Sequence, residues 1–238
     1  MSGHSKWAQI KHKKAITDAK KSKIFSKLAA AITVAAREKG DDPDKNPKLR
    51  LAIEKAHSFN MPSSNIERAI QKGSGSIEGS QLEELLLEAY GPNGHPLLIT
   101  AITDNSNRTL SDIKHILSKY GGKLGNQGSV QWMFEQKGKI VLNTPTLSEE
   151  EELKLIEIGA DDIKKENGEI AVYVPPNELY NIQQKINQLN FPILETSLDF
   201  IPKNTQNIST EEKEIYEKLF DELDEQAEVK DIYSTVVF

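Results

Sequence analysis

The spacing of apolar residues changes once along this chain, at Gly73-Ser74-Gly75-Ser76, and that change divides what can fold on either side. Before the joint, Ile16, Phe25, Leu28, Ile32 and Ala35, and then Leu49, Ala52, Ile53 and Ala56, recur at helical intervals. The helix signals fit that reading. Gly40 ends the first helix, which the pattern starts near Lys11 after an irregular stretch over residues 1–10. Asn46-Pro47 supplies a cap and a first-turn proline for the second, which Pro62 stops near Asn60. Ser64-Asn65-Ile66-Glu67 reads as a capping box for a third, running to Lys72.

Beyond the joint the pattern alternates between strand and helix. Residues 82–90 and 96–103 read as strands around the turn Gly91-Pro92-Asn93-Gly94. A helix capped by Asn107 follows, running to Tyr120 and closed by Gly121-Gly122, and then a strand over 129–134. Next come a strand at 139–142, a helix at 148–158, a hairpin turning at Asn167-Gly168, a helix at 176–189 and a strand at 192–200. That order is the β-α-β-β-α-β plan of ferredoxin-like units. An acidic helix over 210–227 and a strand through Val237 finish the chain and complete no unit alone. Added to residues 80–134, they complete a second α+β layer. The expected fold class is therefore multidomain α+β. A small basic helical domain covers 1–75, a discontinuous α+β domain 80–134 plus 205–238, and an inserted ferredoxin-like domain 135–204.

Charge is sorted along the same division. The net charge is −6, yet residues 1–39 carry ten Lys/Arg against two acids, and residues 1–78 carry sixteen against eight. Residues 79–238 hold fourteen basic and twenty-eight acidic side chains. A basic terminus on an acidic body is the electrostatic footprint of a polyanion-binding protein. A blander reading is that the two halves attract each other. The expected phosphate contacts are Lys6, Lys11, Lys13, Lys14, Lys20, Lys21, Lys23 and Lys27, with Lys20, Lys23 and Lys27 sharing one helix face. Lys48, Arg50 and Lys55, read as pointing outward on the second helix, extend the set, as do Arg68 and Lys72. Trp7 stacks on a base or anchors the arm, and His12 donates to phosphate. Lysine dominance favours backbone contact over base reading.

Other chemistry is thinly represented. Zero cysteines remove disulfides, thiolate catalysis and Cys-ligated metals. His4 and His12 have no carboxylate close in sequence, so no metal site is expected. His57 and His115 read as surface or helix-end residues, and no catalytic residue or cofactor is expected. Asn107 and Arg108, at a helix start, could hold an anion or partner, against the simpler reading that Asp104 and the asparagines cap the turn. Trp132, Met133 and Phe134 read as core or interface, and the acidic helix as a solvated face. Polar, basic residues occupy the place of a signal peptide's apolar region, and no apolar run could span a bilayer, so cytoplasmic location is expected.

Six motifs, in order, carry a resemblance: GHSKWAQIKHKKAITDAKKSKIFSKL (residues 3–28), ITVAAR (32–37), NMPSSNIERAIQKGSG (60–75), EAYGPNG (88–94), TDNSNRT (103–109) and GSVQWMF (128–134). Together they resemble the YebC/PmpR family, which includes the mitochondrial translational activator of cytochrome oxidase subunit one. The resemblance implies three domains and a DNA-binding transcriptional regulator. Some members are tied instead to translation, through the ribosome and its RNA. Lys13, Lys21 and Ser22 stand where the family often has arginine, arginine and glycine, so charge is kept while bidentate contact is lost. Nucleic acid, as DNA or ribosomal RNA, is the expected partner, with a protein partner on the acidic half and neither membrane nor small-molecule substrate. The rivals are a metal-dependent hydrolase using Asp104 and a protein-binding adaptor.

Overall fold

The computed structural model describes residues 18–78, 81–166 and 168–237. The expected irregular start, the beginning of the first helix and the Asn167 turn lie outside the described residues, as do Lys6, Trp7, Lys11, His12, Lys13 and Lys14. Three helices come first: α1 (Asp18–Lys39), α2 (Pro47–Ser58) and α3 (Ser63–Gly73). Ile24, Leu28, Ile32 and Ala35 of α1 fall on one stripe and are buried against Leu49, Ala56, Met61 and Ile66. Gly40, at φ +92°, returns its N–H to the Ala36 carbonyl (2.9 Å) and ends α1. Asn46 is fully buried. Its Oδ1 accepts the Leu49 N–H, while its Nδ2 donates to the Ala35 and Gly40 carbonyls at 2.7 Å, so one cap also ties two helices. The capping box expected at Ser64 does not form. Helix α3 starts directly after Pro62 with no side-chain cap, because the proline already sets the entry conformation. At its other end Gly73 lies against α1, where a Cβ would come within 2.4 Å of the Thr33 carbonyl oxygen.

A four-stranded sheet follows, in the order β3-β1-β2-β9. Strands β1 (Glu83–Tyr90) and β2 (Pro96–Thr103) form the expected antiparallel hairpin, with Tyr90 opposite Pro96. β3 (Lys123–Leu124) is a two-residue edge too short to leave a periodic trace in the sequence. β9 (Val229–Ser234) comes from the far end of the chain and pairs antiparallel with β2. Helices α4 (Ser106–Lys119) and α7 (Thr210–Asp224) bring Ile113, Leu117, Tyr216 and Leu219 onto Ala89, Leu97 and Ile99 of this sheet. The Tyr216 hydroxyl donates to the Pro92 carbonyl at 2.8 Å.

The second sheet has the order β5-β6-β4-β7, with every neighbouring pair antiparallel. Its members are β4 (Phe134–Leu142), β5 (Asp162–Glu166), β6 (Glu169–Val174) and β7 (Ile193–Pro202), with α5 (Glu149–Glu157) and α6 (Leu179–Gln188) in the crossovers. This is the ferredoxin-like order, set within the path of the first sheet. A minor parallel pair, β8 (Gln206–Asn207) with β10 (Val236–Val237), lies after it. The two sheets meet where Phe200 packs edge-on against Tyr233, beside Leu98 and Phe134.

Two expectations are corrected here. Residues 129–133 are not a strand: Gln131–Met133 forms a 3-10 turn, and the strand begins at Phe134. The cause is Glu88, 6% exposed, whose carboxylate accepts the N–H groups of Gly128, Val130 (2.6 Å) and Gln131 (2.8 Å), while the Ser129 and Met133 N–H groups turn to the nearby Asn126 and Val130 carbonyls. Trp132 is also not core. It is 64% exposed, with its indole N–H turned back to the Ser129 carbonyl.

Candidate nucleic-acid interface

Helix α1 divides its cations between two faces, and their surroundings differ. On one face Lys27 is 8% exposed, and its ammonium donates to the Asp224 carbonyl at the end of α7 (2.6 Å) and to the Asp224 carboxylate. Burial pulls that ammonium below the usual lysine value by more than Asp224 restores. One turn earlier, Lys23 pairs with Glu225 at 2.7 Å. The cationic ridge read from Lys20, Lys23 and Lys27 is therefore corrected at two of its three positions. A helix C-terminus presents bare carbonyls and partial negative charge, and α7 adds carboxylates, so these lysines turn to the protein itself. The Lys20 side chain lies outside the described residues.

The second helix is corrected in the same way. Lys48, expected outward, bridges Glu38 (2.8 Å) and Glu84 (2.5 Å), and Lys230 holds the other oxygen of Glu84 at 2.9 Å. Partial burial works against the charged Lys48, but the two carboxylates outweigh it and hold its pKa above the ordinary value. Arg50 lays its guanidinium 3.8 Å from the Tyr180 ring centre and donates to the Pro43 carbonyl. Lys55, also expected outward, points into the junction of the helical unit with both sheets. There it stands 3.9 Å from Glu195 on β7 and 3.7 Å from Asp231 on β9, with Asp199 contributing. Burial opposes its charge, yet those three carboxylates prevail and its pKa rises.

The candidate anion site at the start of α4 resolves as a cap and an ion pair. Asn105, not Asn107, caps the helix by accepting the Arg108 N–H, and Asn107 is exposed on the first turn. Arg108 is held by Asp104 (2.9 Å) and Glu228 (3.0 Å). Asp104, on which the hydrolase reading rested, is thereby occupied. His57 and His115 are exposed on their helices. The acidic helix is not merely solvated, since Glu222 binds Lys119 and the Tyr120 hydroxyl while Asp224 and Glu225 take Lys27 and Lys23.

Lys21, Arg68 and Lys72 remain open. All three are exposed and form no ion pair with any described residue. They line one cleft of about 710 Å³ between α1 and α3. Asn65, Arg68 and Lys72 share a face of α3 at i, i+3 and i+7, and Lys21, Phe25 and Ala29 line α1 opposite at i, i+4 and i+8. The Lys21 ammonium lies 5.7 Å from the Phe25 ring centre. Alanines 29, 30 and 69 leave the floor low, and Met61 closes one side. The cations here are visible in the sequence, whereas Phe25 falls in with the apolar spacing of the helix; its placement just off the Ile24–Leu28 line is the signal that marks it.

A basic three-helix unit carrying this cleft, attached to a sheet-and-helix body with a ferredoxin-like insertion, defines a class of small α+β proteins with a cationic front. Comparison with known families gives the class its name. Residues 5–76 match the model described as the TACO1/YebC protein N-terminal domain, and residues 82–236 match the TACO1/YebC second and third domain. The chain belongs to the TACO1/YebC family. A relative from Caldanaerobacter subterraneus, named "Probable transcriptional regulatory protein", is 45% identical over 99% of this chain and 98% of its own length. One of the same name from Fervidobacterium nodosum is 46% identical over 98% of this chain and 92% of its own. The crystal structure of a conserved hypothetical protein from Aquifex aeolicus superposes with a TM-score of 0.87 at 43% identity, covering 97% of this chain and 96% of that one.

Proposed function

We propose that this chain is a non-enzymatic, nucleic-acid-binding regulator of gene expression that grips phosphates through its basic N-terminal region, as a transcriptional regulator on DNA. The observation that carries the reading is charge sorting: a local excess of eight positive charges in residues 1–39 of a chain whose net charge is −6. The names of the relatives, which speak of transcriptional regulation, support it. Lys23, Lys27, Lys48 and Lys55 are committed to internal carboxylates, so binding falls to Lys6, Lys11, Lys13, Lys14, Lys20, Lys21, Arg68 and Lys72. A second reading, a translation factor on the ribosome and its RNA, is favoured by lysine's dominance in residues 1–39, where Arg37 is the single arginine.

The test replaces Lys11, Lys13, Lys14 and Lys20 with glutamate. Nucleic-acid retention should be lost while the thermal midpoint stays put. If six to ten phosphates are contacted, wild-type affinity should fall roughly 10³–10⁵-fold between 50 and 200 mM salt. Unchanged retention in the quadruple variant would remove the arm from the interface. Promoter DNA binding set against co-sedimentation with ribosomes, at one salt concentration, separates the two readings.

A further inference from the structure

We infer that the α1–α3 cleft is a seat for an unpaired nucleotide of single-stranded nucleic acid, the base entering over Phe25 and its flanking phosphates resting on Lys21, Arg68 and Lys72. The inference rests on the nucleic-acid reading above and specifies the form of nucleic acid that this part of the protein takes.

Two properties of the cleft point the same way. Its rim is cationic and open, since Lys21, Arg68 and Lys72 form no ion pair with any described residue. Its floor is apolar, made by the half-buried Phe25 ring, Met61 and small alanines. Phosphate alone would be served by cations on any convex surface and has no use for an apolar floor. A base needs both parts, because its π-face is apolar while the chain that carries it is anionic. In a duplex that π-face is stacked out of reach, so an intact helix could use the rim and never the floor. The volume, about 710 Å³, lies within the roughly 300–1,000 Å³ of sites that enclose small ligands. The exposed Asn65 amide at the mouth can both donate to and accept from a base edge.

Electrostatics alone predict the opposite preference, which makes the inference testable. Duplex DNA packs one charge into about 1.7 Å of axis, more densely than a single strand, so a merely cationic surface favours duplex. The experiment measures fluorescence anisotropy of the full chain with a 20-nucleotide oligouridylate and with a blunt 20-base-pair duplex, in the same buffer. A stacked base should give the single strand about a tenfold advantage. Ala30→Leu, which raises the floor, should erase that advantage. Arg68→Gln with Lys72→Gln, both at exposed positions that leave the core intact, should lower the single-strand salt slope by about 1.4, two phosphate contacts at ~0.7 each. Methyl and ring resonances of Ala29, Ala30 and Phe25 should shift on titration with the oligouridylate.

Equal or tighter duplex binding, with Ala30→Leu silent, overturns the cleft assignment and leaves the regulator reading standing on duplex. Single-strand binding without movement of those resonances overturns it too, leaving the cleft to the apolar face of an acidic protein helix. No retention of either nucleic acid at 50 mM salt removes both this inference and the function it rests on.

Discussion

Replacing Glu88 by glutamine should unlatch the loop that carries Trp132 without touching any residue of the candidate interface. In the wild-type fold the carboxylate accepts three backbone N–H groups, two at Oε2 from Val130 and Gln131 and one at Oε1 from Gly128. Glutamine keeps one oxygen. It can retain the first two bonds as neutral ones, but its amide N–H₂ then faces the Gly128 N–H, donor against donor. A hydrogen bond to a charged group contributes about 1.5–3 kcal/mol and a neutral one about 0.5–1.5 kcal/mol, so the change should cost roughly 2–4 kcal/mol. At about 2–4 °C per kcal/mol for a chain of this size, the thermal midpoint should drop by roughly 5–15 °C. Acid sensitivity should change as well. Burial alone would raise the Glu88 pKa, but the N–H groups of Val130, Gln131 and Gly128 prevail and hold it below the ordinary 4.5. A lowered folded-state pKa means that the stabilisation is complete above the unfolded value of about 4.5 and is lost as pH falls through the folded value. The glutamine variant should therefore lack that part of the acid-dependent loss. The assay is thermal unfolding from pH 7 to pH 3, with amide exchange at Gly128, Val130 and Gln131. A variant melting within about a degree of wild type, with those amides equally protected, would refute the account of the loop.

Four further outcomes follow from the ion pairs and close contacts. Lys55→Met leaves Glu195, Asp199 and Asp231 without their shared cation and should destabilise by about 3 kcal/mol in urea unfolding, with Asp231→Asn added to it recovering part of the loss. Lys27→Ala removes a buried ammonium from the end of α7 and should cost about 1.5–3 kcal/mol. Lys23→Ala breaks an exposed pair and should cost no more than about 1 kcal/mol, so comparable losses for the two lysines would contradict the burial argument. Gly73→Ala forces a Cβ toward the Thr33 carbonyl and Ala36 and should cost about 1–3 kcal/mol, read as early melting of the helical unit by circular dichroism.

What could be read in the sequence follows the range of the interaction that decides each element. Asn46-Pro47 announces α2 because cap and proline act within one turn, and the hairpin at Gly91–Gly94 is equally local. A glutamate three residues on completes capping boxes at Ser148 and Ser209 but not at Ser64, where the upstream Pro62 sets the helix start instead. Residues 129–133 look like a strand by composition, but the Val130 and Gln131 N–H groups are claimed by a carboxylate some forty positions away, which no local window contains. Lys27 and Lys55 fail for the same reason: their partners Asp224, Glu195 and Asp231 come from the far end of the chain. Arg68 and Lys72 were legible because exposed charge on a helix face needs no partner to be recognised. Phe25 was legible as apolar but not as the floor of a cleft, since the alanines that open the space beside it pass for ordinary helix formers.

The pairing of β2 with β9 has a consequence for biosynthesis. β2 is buried along its whole length, yet one of its flanking strands is not translated until residues 229–234 emerge. During that interval the inserted ferredoxin-like unit, complete by Pro202, can close while the sheet that hosts it still shows an open hydrophobic edge. Such an edge is a template for foreign strands. A nascent chain of this protein thus passes through a window of vulnerability to aggregation, and a truncation before Val229 would prolong that window indefinitely.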